Sequence, residues 1–115
     1  MLNRVIGKNE RKNYFNYVSK NAQGMSVELE VVGPELGDQI EEEWAHFEGL
    51  DYDSKRDVLH FYTAQLEHSI FKPSEIIAAE DGPVVNSILV KDVDGIHLLI
   101  KFRMPMMLES RAFNS

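Results

Sequence analysis

The chain has 115 residues, of which 43% are hydrophobic and 27% charged, and this composition is typical of a globular domain. It contains no cysteine, which excludes disulfides, thiolate catalysis and cysteine-ligated zinc. The formal net charge is −7, and residues 25–57 alone carry −9 against +4 in residues 1–24, so most of the surface should repel nucleic acid and anionic membranes.

The length predicts a single domain over residues 1–115, with an ordered core over about 9–108 and a loose tail over 109–115. Charges interrupt the first residues too early for the apolar segment of a signal peptide, and no apolar run has the length of a membrane span. We therefore expect a cytoplasmic protein.

One amphipathic helix is predicted near the start of the chain. Asn9 is a suitable N-cap and Gly24 a suitable C′ residue, and between them apolar residues recur at helical spacing from about Glu10 to about Gln23. A helix this short is marginal alone and must pack on the rest of the domain.

The strands that follow are organised around the acidic stretch from Gly37 to Thr63. The segment before it, SVELEVV, alternates apolar and polar residues and predicts a half-buried strand. In the next strand the alternation fails around Ala45 and His46, just after Trp44, which indicates a β-bulge or a strong bend. A turn at residues 53–56 leads into a strand over 57–63 that is apolar on both faces and hence central.

The second half of the chain predicts an irregular segment and then a hairpin. Pro73 in LEHSIFKPSEI cannot donate to a strand ladder, so this segment is a strand edge, a bend or a short helical turn. Residues 74–80 read as a short strand or an extended crossover. Val84–Lys91 and Ile96–Arg103 are rich in β-forming residues and flank an Asp-Gly turn signal.

These elements predict a mostly β fold with one N-terminal helix and about five strongly bent strands. The order of elements is similar to an Sm-like barrel, a small and strongly bent antiparallel sheet. An open antiparallel sheet with the helix on one face, an α+β arrangement, fits the same elements.

Several segments together resemble a domain-of-unknown-function family of small bacterial proteins. They are NYFNYVSKNAQG, LGDQIEEEW, GLDYDSKRDVLHF, LEHSIFKPSEI, VDGIHLLIKF and MPMML, in this order over roughly residues 10–108. The resemblance implies a shared fold and a bacterial origin, but no reaction, cofactor or catalytic residue. The family often has a proline in the turn where this chain has Ser54, a difference that affects turn stiffness.

The analogy to Sm-like proteins implies a ring that binds RNA. Such proteins typically carry a basic residue followed by glycine in their last hairpin, and this chain has LVKDVDGIHLLI there. Together with the negative charge, this disfavours RNA binding.

Two carboxylate patterns could carry chemistry. Asp51, Asp53 and Asp57 suggest a calcium loop, but such a loop needs Gly and Glu where the chain has Arg56 and Tyr62. A solvated turn is the better interpretation. Of the run of glutamates at positions 41–43, only the first and last share a strand face, and an exposed acidic face is favoured over an acid–base pair.

The four histidines suggest two hypotheses, a metal site and a ligand site. Their spacing matches no metal motif, although His46 and His60 flank the same turn and could approach each other. His68 lies in the least regular segment, where a ligand-binding role competes with a backbone hydrogen bond in an irregular connection. We therefore name His68, with Lys72, Asp53 and Asp57 as contributors, as the candidate ligand-binding residues. No catalytic residue, metal ligand or cofactor is assigned.

The sequence thus favours a non-enzymatic small β-domain that acts by oligomerisation or by binding a protein partner, since a sheet must cover its edges. The alternative is a binder of a small ligand or metal near His68.

Overall fold

The computed structural model describes residues 2–33 and 37–103, without the side chains of Asp38, Glu41 and Glu42. The predicted loose tail therefore lies outside the described residues. Of the Glu41–Glu43 pair, only the side chain of Glu43 is described. A short 3-10 turn at Lys8–Glu10 precedes helix α1 at Arg11–Asn21. The described residues also form eight strands: β1 Leu2–Val5, β2 Ser26–Gly33, β3 Gly37–Asp53, β4 Val58–Thr63, β5 Glu67–Phe71, β6 Glu75–Asp81, β7 Val84–Lys91 and β8 His97–Arg103.

All eight strands pair antiparallel in the order β1-β6-β7-β8-β2-β3-β4-β5. Strand β3 is 17 residues long and takes part in two pairings. Its first part, up to His46, pairs with β2, and its second part, from Phe47, pairs with β4. The sheet therefore has a large part, β1-β6-β7-β8-β2, and a small part, β4-β5, which are joined by one strand.

The sheet is open, with β1 and β5 at its two edges. This fits the predicted alternative of an open antiparallel sheet with one helix, and the Sm-like barrel is not confirmed. Seven strands follow the helix instead of about five: the segment with Pro73 forms an edge strand, β5, that ends at Phe71 before the proline, and the following segment forms β6.

The predicted break in β3 is confirmed next to Trp44. This residue has φ 49°, in the left-handed region, and the β3–β4 register shifts between Phe47 and Gly49. The guanidinium of Arg103, at the end of β8, lies 3.7 Å from the centre of the Trp44 ring. The break thus changes which neighbour β3 pairs with, and a cation–π contact covers it.

One hydrophobic core lies between the large part of the sheet, the small part and α1. Phe47 stacks on Phe61 of β4 and meets Phe102 of β8 edge to face, so both parts of the sheet contribute to it. Buried apolar side chains come from the helix and from every strand except β1. The fully buried large ones are Ile6, Phe15, Val18, Val27, Leu29, Phe47, Leu59, Phe61, Ile76, Ile88, Val90 and Ile100.

Strand β1 was not predicted, and a polar cluster fastens it to the helix. Arg4 Nε donates to Glu80 Oε1 at 3.1 Å, and the Tyr14 hydroxyl donates to Glu80 Oε2 at 2.8 Å. The Arg4 guanidinium also lies 5.0 Å from the centre of the Tyr14 ring. The hydrogen bond from Arg4 holds the pKa of Glu80 below its usual value, and burial raises the pKa of the Tyr14 hydroxyl.

We expect Glu80→Gln to lower the free energy of unfolding at pH 7 by about 1–2 kcal/mol, since it weakens two charge-assisted hydrogen bonds. Because the folded-state pKa of Glu80 is depressed, its contribution exists above the unfolded pKa and fades as pH falls through the folded one. The free energies of unfolding of the two proteins, measured in urea, should therefore converge as the pH falls below the ordinary glutamate pKa of about 4.3. Asp81→Asn, an exposed neighbour, is the charge-matched control; an equal loss there would contradict the assignment.

Candidate functional site

Asp53 lies where β3 enters its turn, and its carboxylate is used by that turn. Asp53 Oδ1 accepts the backbone N–H groups of Lys55 and Arg56 at 3.0 and 3.2 Å. The hydrogen bond from the Arg56 backbone is the main reason why the pKa of Asp53 is lowered. The carboxylate thus fixes the turn geometry, as aspartate commonly does in turns.

Asp57, at the other end of this turn, is the centre of a partly buried ionic cluster. Its Oδ1 accepts the Tyr52 hydroxyl at 2.5 Å and Arg11 Nη1 at 3.5 Å, and its Oδ2 lies 3.7 Å from Lys8 Nζ. Arg11 is only 5% exposed and also donates to the carbonyl of Pro73 at 3.2 Å. A buried arginine needs a counter-charge, so Asp57 fastens the start of α1 to the β3–β4 turn.

Lys72 follows β5 and reaches the same turn through its backbone. Its N–H donates to the carbonyl of Asp57 at 2.8 Å, and both residues have a positive φ, 52° and 56°. The structure therefore brings Asp53, Asp57 and Lys72 together at one end of the small part of the sheet. His68 lies further along β5, opposite Phe61, and is not part of this cluster.

His68 lines a different feature, a groove between β5 and the β7–β8 turn. The groove has a volume of about 340 Å³ and is half open. His68 is half-buried, and its Nε2 is a buried polar atom that has no hydrogen-bond partner. The groove is lined by Val31, His68, Ser69, Ile70, Phe71, Asp92, Asp94 and Leu98.

His46 lies on β3 and His60 on β4, and the two are not opposite each other in the strand pairing. His60 is opposite Asp51, whereas His46 accepts a hydrogen bond from the N–H of Ala64 through its carbonyl. His60 Nδ1 instead contacts Ser69 Oγ at 2.9 Å. Within residues 2–33 and 37–103, no group of three histidine, aspartate or glutamate side chains could hold a metal ion.

A surface that the sequence reasoning missed lies on the outer face of the large part of the sheet, opposite the core. Strand register aligns six residues across it: Val5 with Ile77, Ile77 with Leu89, Leu89 with Leu99, Leu99 with Glu30, and Glu30 with Ile40. We call the five apolar members, Val5, Ile77, Leu89, Leu99 and Ile40, the apolar row. Val5 is 58% and Ile40 51% exposed, and the three between them are half-buried.

Charged pairs flank the apolar row. On one side Lys91 Nζ lies 3.1 Å from Glu75 Oε1. On the other, Lys101 Nζ lies 3.5 Å from a carboxylate oxygen of Glu28 and 3.4 Å from one of Glu30, which interrupts the row between Leu99 and Ile40. An apolar centre with a rim of mixed charges is the arrangement found at protein–protein interfaces. The apolar residues on the face of β6, β7 and β8 that points away from the core were a sequence signal for this surface. Their alignment across the strands, however, depends on pairing between segments that are distant in sequence.

Comparison with known proteins agrees with the resemblance seen in the sequence. The model of DUF5335, a family of unknown function, matches residues 2–111. The chain belongs to the DUF5335 family. An uncharacterized protein of Aquifex aeolicus (strain VF5) is 35% identical to it over 104 residues, which cover 90% of this chain and 94% of that protein. No solved structure matches.

The predicted membership of a domain-of-unknown-function family is thus confirmed for nearly the whole chain. In the part of this DUF5335 chain that the structure describes, no helix has the length and apolar character needed to cross a membrane.

The geometry predicts different roles for the two aspartates of the turn. Asp57→Asn should lower the free energy of unfolding by about 2 kcal/mol, because it leaves the buried Arg11 without a counter-charge. Asn at this position still accepts a positive φ, so the backbone is not the cause of the loss. Asp53→Asn, the matched control, should stay within about 0.5 kcal/mol, since an amide oxygen can accept the same N–H groups. Equal losses in urea unfolding would contradict the structural role of Asp57.

Proposed function

We propose that this protein is a non-enzymatic β-domain that acts by association, with copies of itself or with a protein partner. The observation that supports this is the apolar row, which spans the outer face of the sheet while the helix and the core occupy the opposite face. Apolar surface of this kind gains free energy when a partner covers it, at about 25 cal/mol per Å². Contiguous exposed apolar patches mark interaction sites more often than single exposed residues do.

The candidate polar residues support the same proposal. Asp53 and Asp57 have structural partners within the turn, and His60 contacts Ser69 across two strands of an exposed face. These side chains therefore have hydrogen-bond partners inside the domain.

We expect Leu89→Lys to abolish or strongly weaken association, because it places an ammonium in the middle of the apolar row. Light scattering across a wide dilution range, together with co-purification from the source cells, measures both self-association and partner binding. Val93→Lys, at a residue 64% exposed in the β7–β8 turn, introduces the same charge outside the row and should leave association unchanged. A monodisperse wild-type monomer without a bound partner would contradict the proposal.

A second candidate function is small-ligand binding in the groove beside His68. The specific observation is the groove itself, which has apolar walls from Val31, Ile70 and Leu98 and carboxylates from Asp92 and Asp94. An apolar molecule that carries a positive charge matches these walls. Asp92 also has a structural role, since its Oδ1 accepts the N–H groups of Asp94 and Ile96 at 2.8 and 3.0 Å.

His68→Leu distinguishes ligand binding from a purely structural groove. If His68 only packs, the change removes a buried atom without a hydrogen-bond partner and should raise the free energy of unfolding by up to about 1 kcal/mol. If the groove binds cationic amphiphiles such as benzylamine, the wild type should show a saturable thermal shift that His68→Leu reduces. His46→Leu, at an exposed residue of β3 outside the groove, serves as the control, and the absence of any wild-type shift would reject this candidate.

A further inference from the structure

We propose that the outer face of the sheet binds a second copy of this chain, so that two sheets stack face to face across a two-fold axis. The inference rests on the proposed association function and names its partner.

The size of the face is suited to this partner. Six adjacent strands, from β1 to β3, span about 29 Å at a spacing of about 4.8 Å, and seven residues of strand span about 23 Å. The projected face is therefore about 650 Å², and its accessible area is larger because side chains cover it. A stable interface buries about 800 Å² per partner, so a second sheet of the same dimensions fits it.

The charge of the face also favours a like partner. The described face carries Lys91 and Lys101 against Glu75, Glu28 and Glu30, so its charges nearly cancel in a protein whose net charge is −7. At the outer face, positive and negative groups alternate, and a two-fold rotation can place them opposite each other.

The shape of the apolar row completes the argument. Its middle lies between Leu89 and Leu99, which are neighbours in register. A two-fold axis through this point sets Leu89 of one copy against Leu99 of the other, as an isologous interface requires. Stacked sheets lie about 10 Å apart and cross at about 30°, so the ends of the two rows diverge. Lys101 lies 3.4 Å from Glu30 and offsets its charge at this position within the row.

The absence of native cysteine allows a direct test by single-cysteine crosslinking. Ser87, half-buried on the outer face and opposite Lys101, lies one row from Leu89, whereas Ser54 is exposed in the β3–β4 turn. With a bismaleimide crosslinker whose span of about 10 Å matches the spacing of stacked sheets, Ser87→Cys should form a covalent dimer at micromolar concentration, and Ser54→Cys should form at least about tenfold less. Adding Leu89→Lys to Ser87→Cys should remove the crosslink. Leu89→Thr, which keeps β propensity, should weaken the dimer about tenfold or more and guards against misfolding.

Each outcome has a defined meaning. Equal crosslinking at both positions, or a dimer that persists by light scattering with Leu89→Lys, would overturn the assignment of this face but leave association intact. A wild-type monomer that retains another protein only while Leu89 is present would overturn the second copy as partner and support the association function. A monomer that retains nothing would overturn both.

Discussion

The whole architecture depends on one strand that pairs with two different neighbours. Strand β3 pairs with β2 in its first part and with β4 in its second, and the change occurs between Trp44 and Gly49. Phe47, at this junction, is fully buried and contacts aromatic rings from both parts of the sheet. If β3 were straight and regular, the small part could not fold back over the core. The backbone strain at Trp44 is therefore compensated by the burial that it makes possible.

Local chemistry was sufficient to predict most elements of this fold. The Asp-Gly turn and its flanking β-rich segments gave the β7–β8 hairpin, and the broken alternation near Trp44 gave the bend in β3. Strand β1 was missed because four residues carry too little periodicity, and because its partner is distant in sequence. The choice between a barrel and an open sheet depends on whether the edges meet, which no local pattern encodes.

The candidate site likewise has a part that local sequence patterns predict and a part that depends on contacts distant in sequence. The acidic turn was recognised from its residue types, and the structural role of Asp57 depends on the buried Arg11, which the helix supplies from 46 residues away. The irregular sequence around His68 made it a candidate ligand-binding residue. The groove that it lines arises because β5 lies beside the β7–β8 turn, which the sequence does not indicate. The apolar row could not be predicted, since it is a property of six strands in register. Surfaces that associate are thus harder to read from sequence than turns are.

Strand β1 has a consequence for the order of folding and for local stability. Arg4 and Glu80, which link β1 to β6, are 76 residues apart, so this edge closes one of the two longest loops in the described sheet. Closing such a loop costs chain entropy before its contacts can form. We therefore expect β1 to pair with β6 late in folding. The four residues of β1 are all exposed, so β1 can also detach while the rest of the sheet stays folded. Detachment would expose the backbone N–H and C=O groups of β6 that pair with β1. The protein would then transiently present an open strand edge to which a strand of another chain can add.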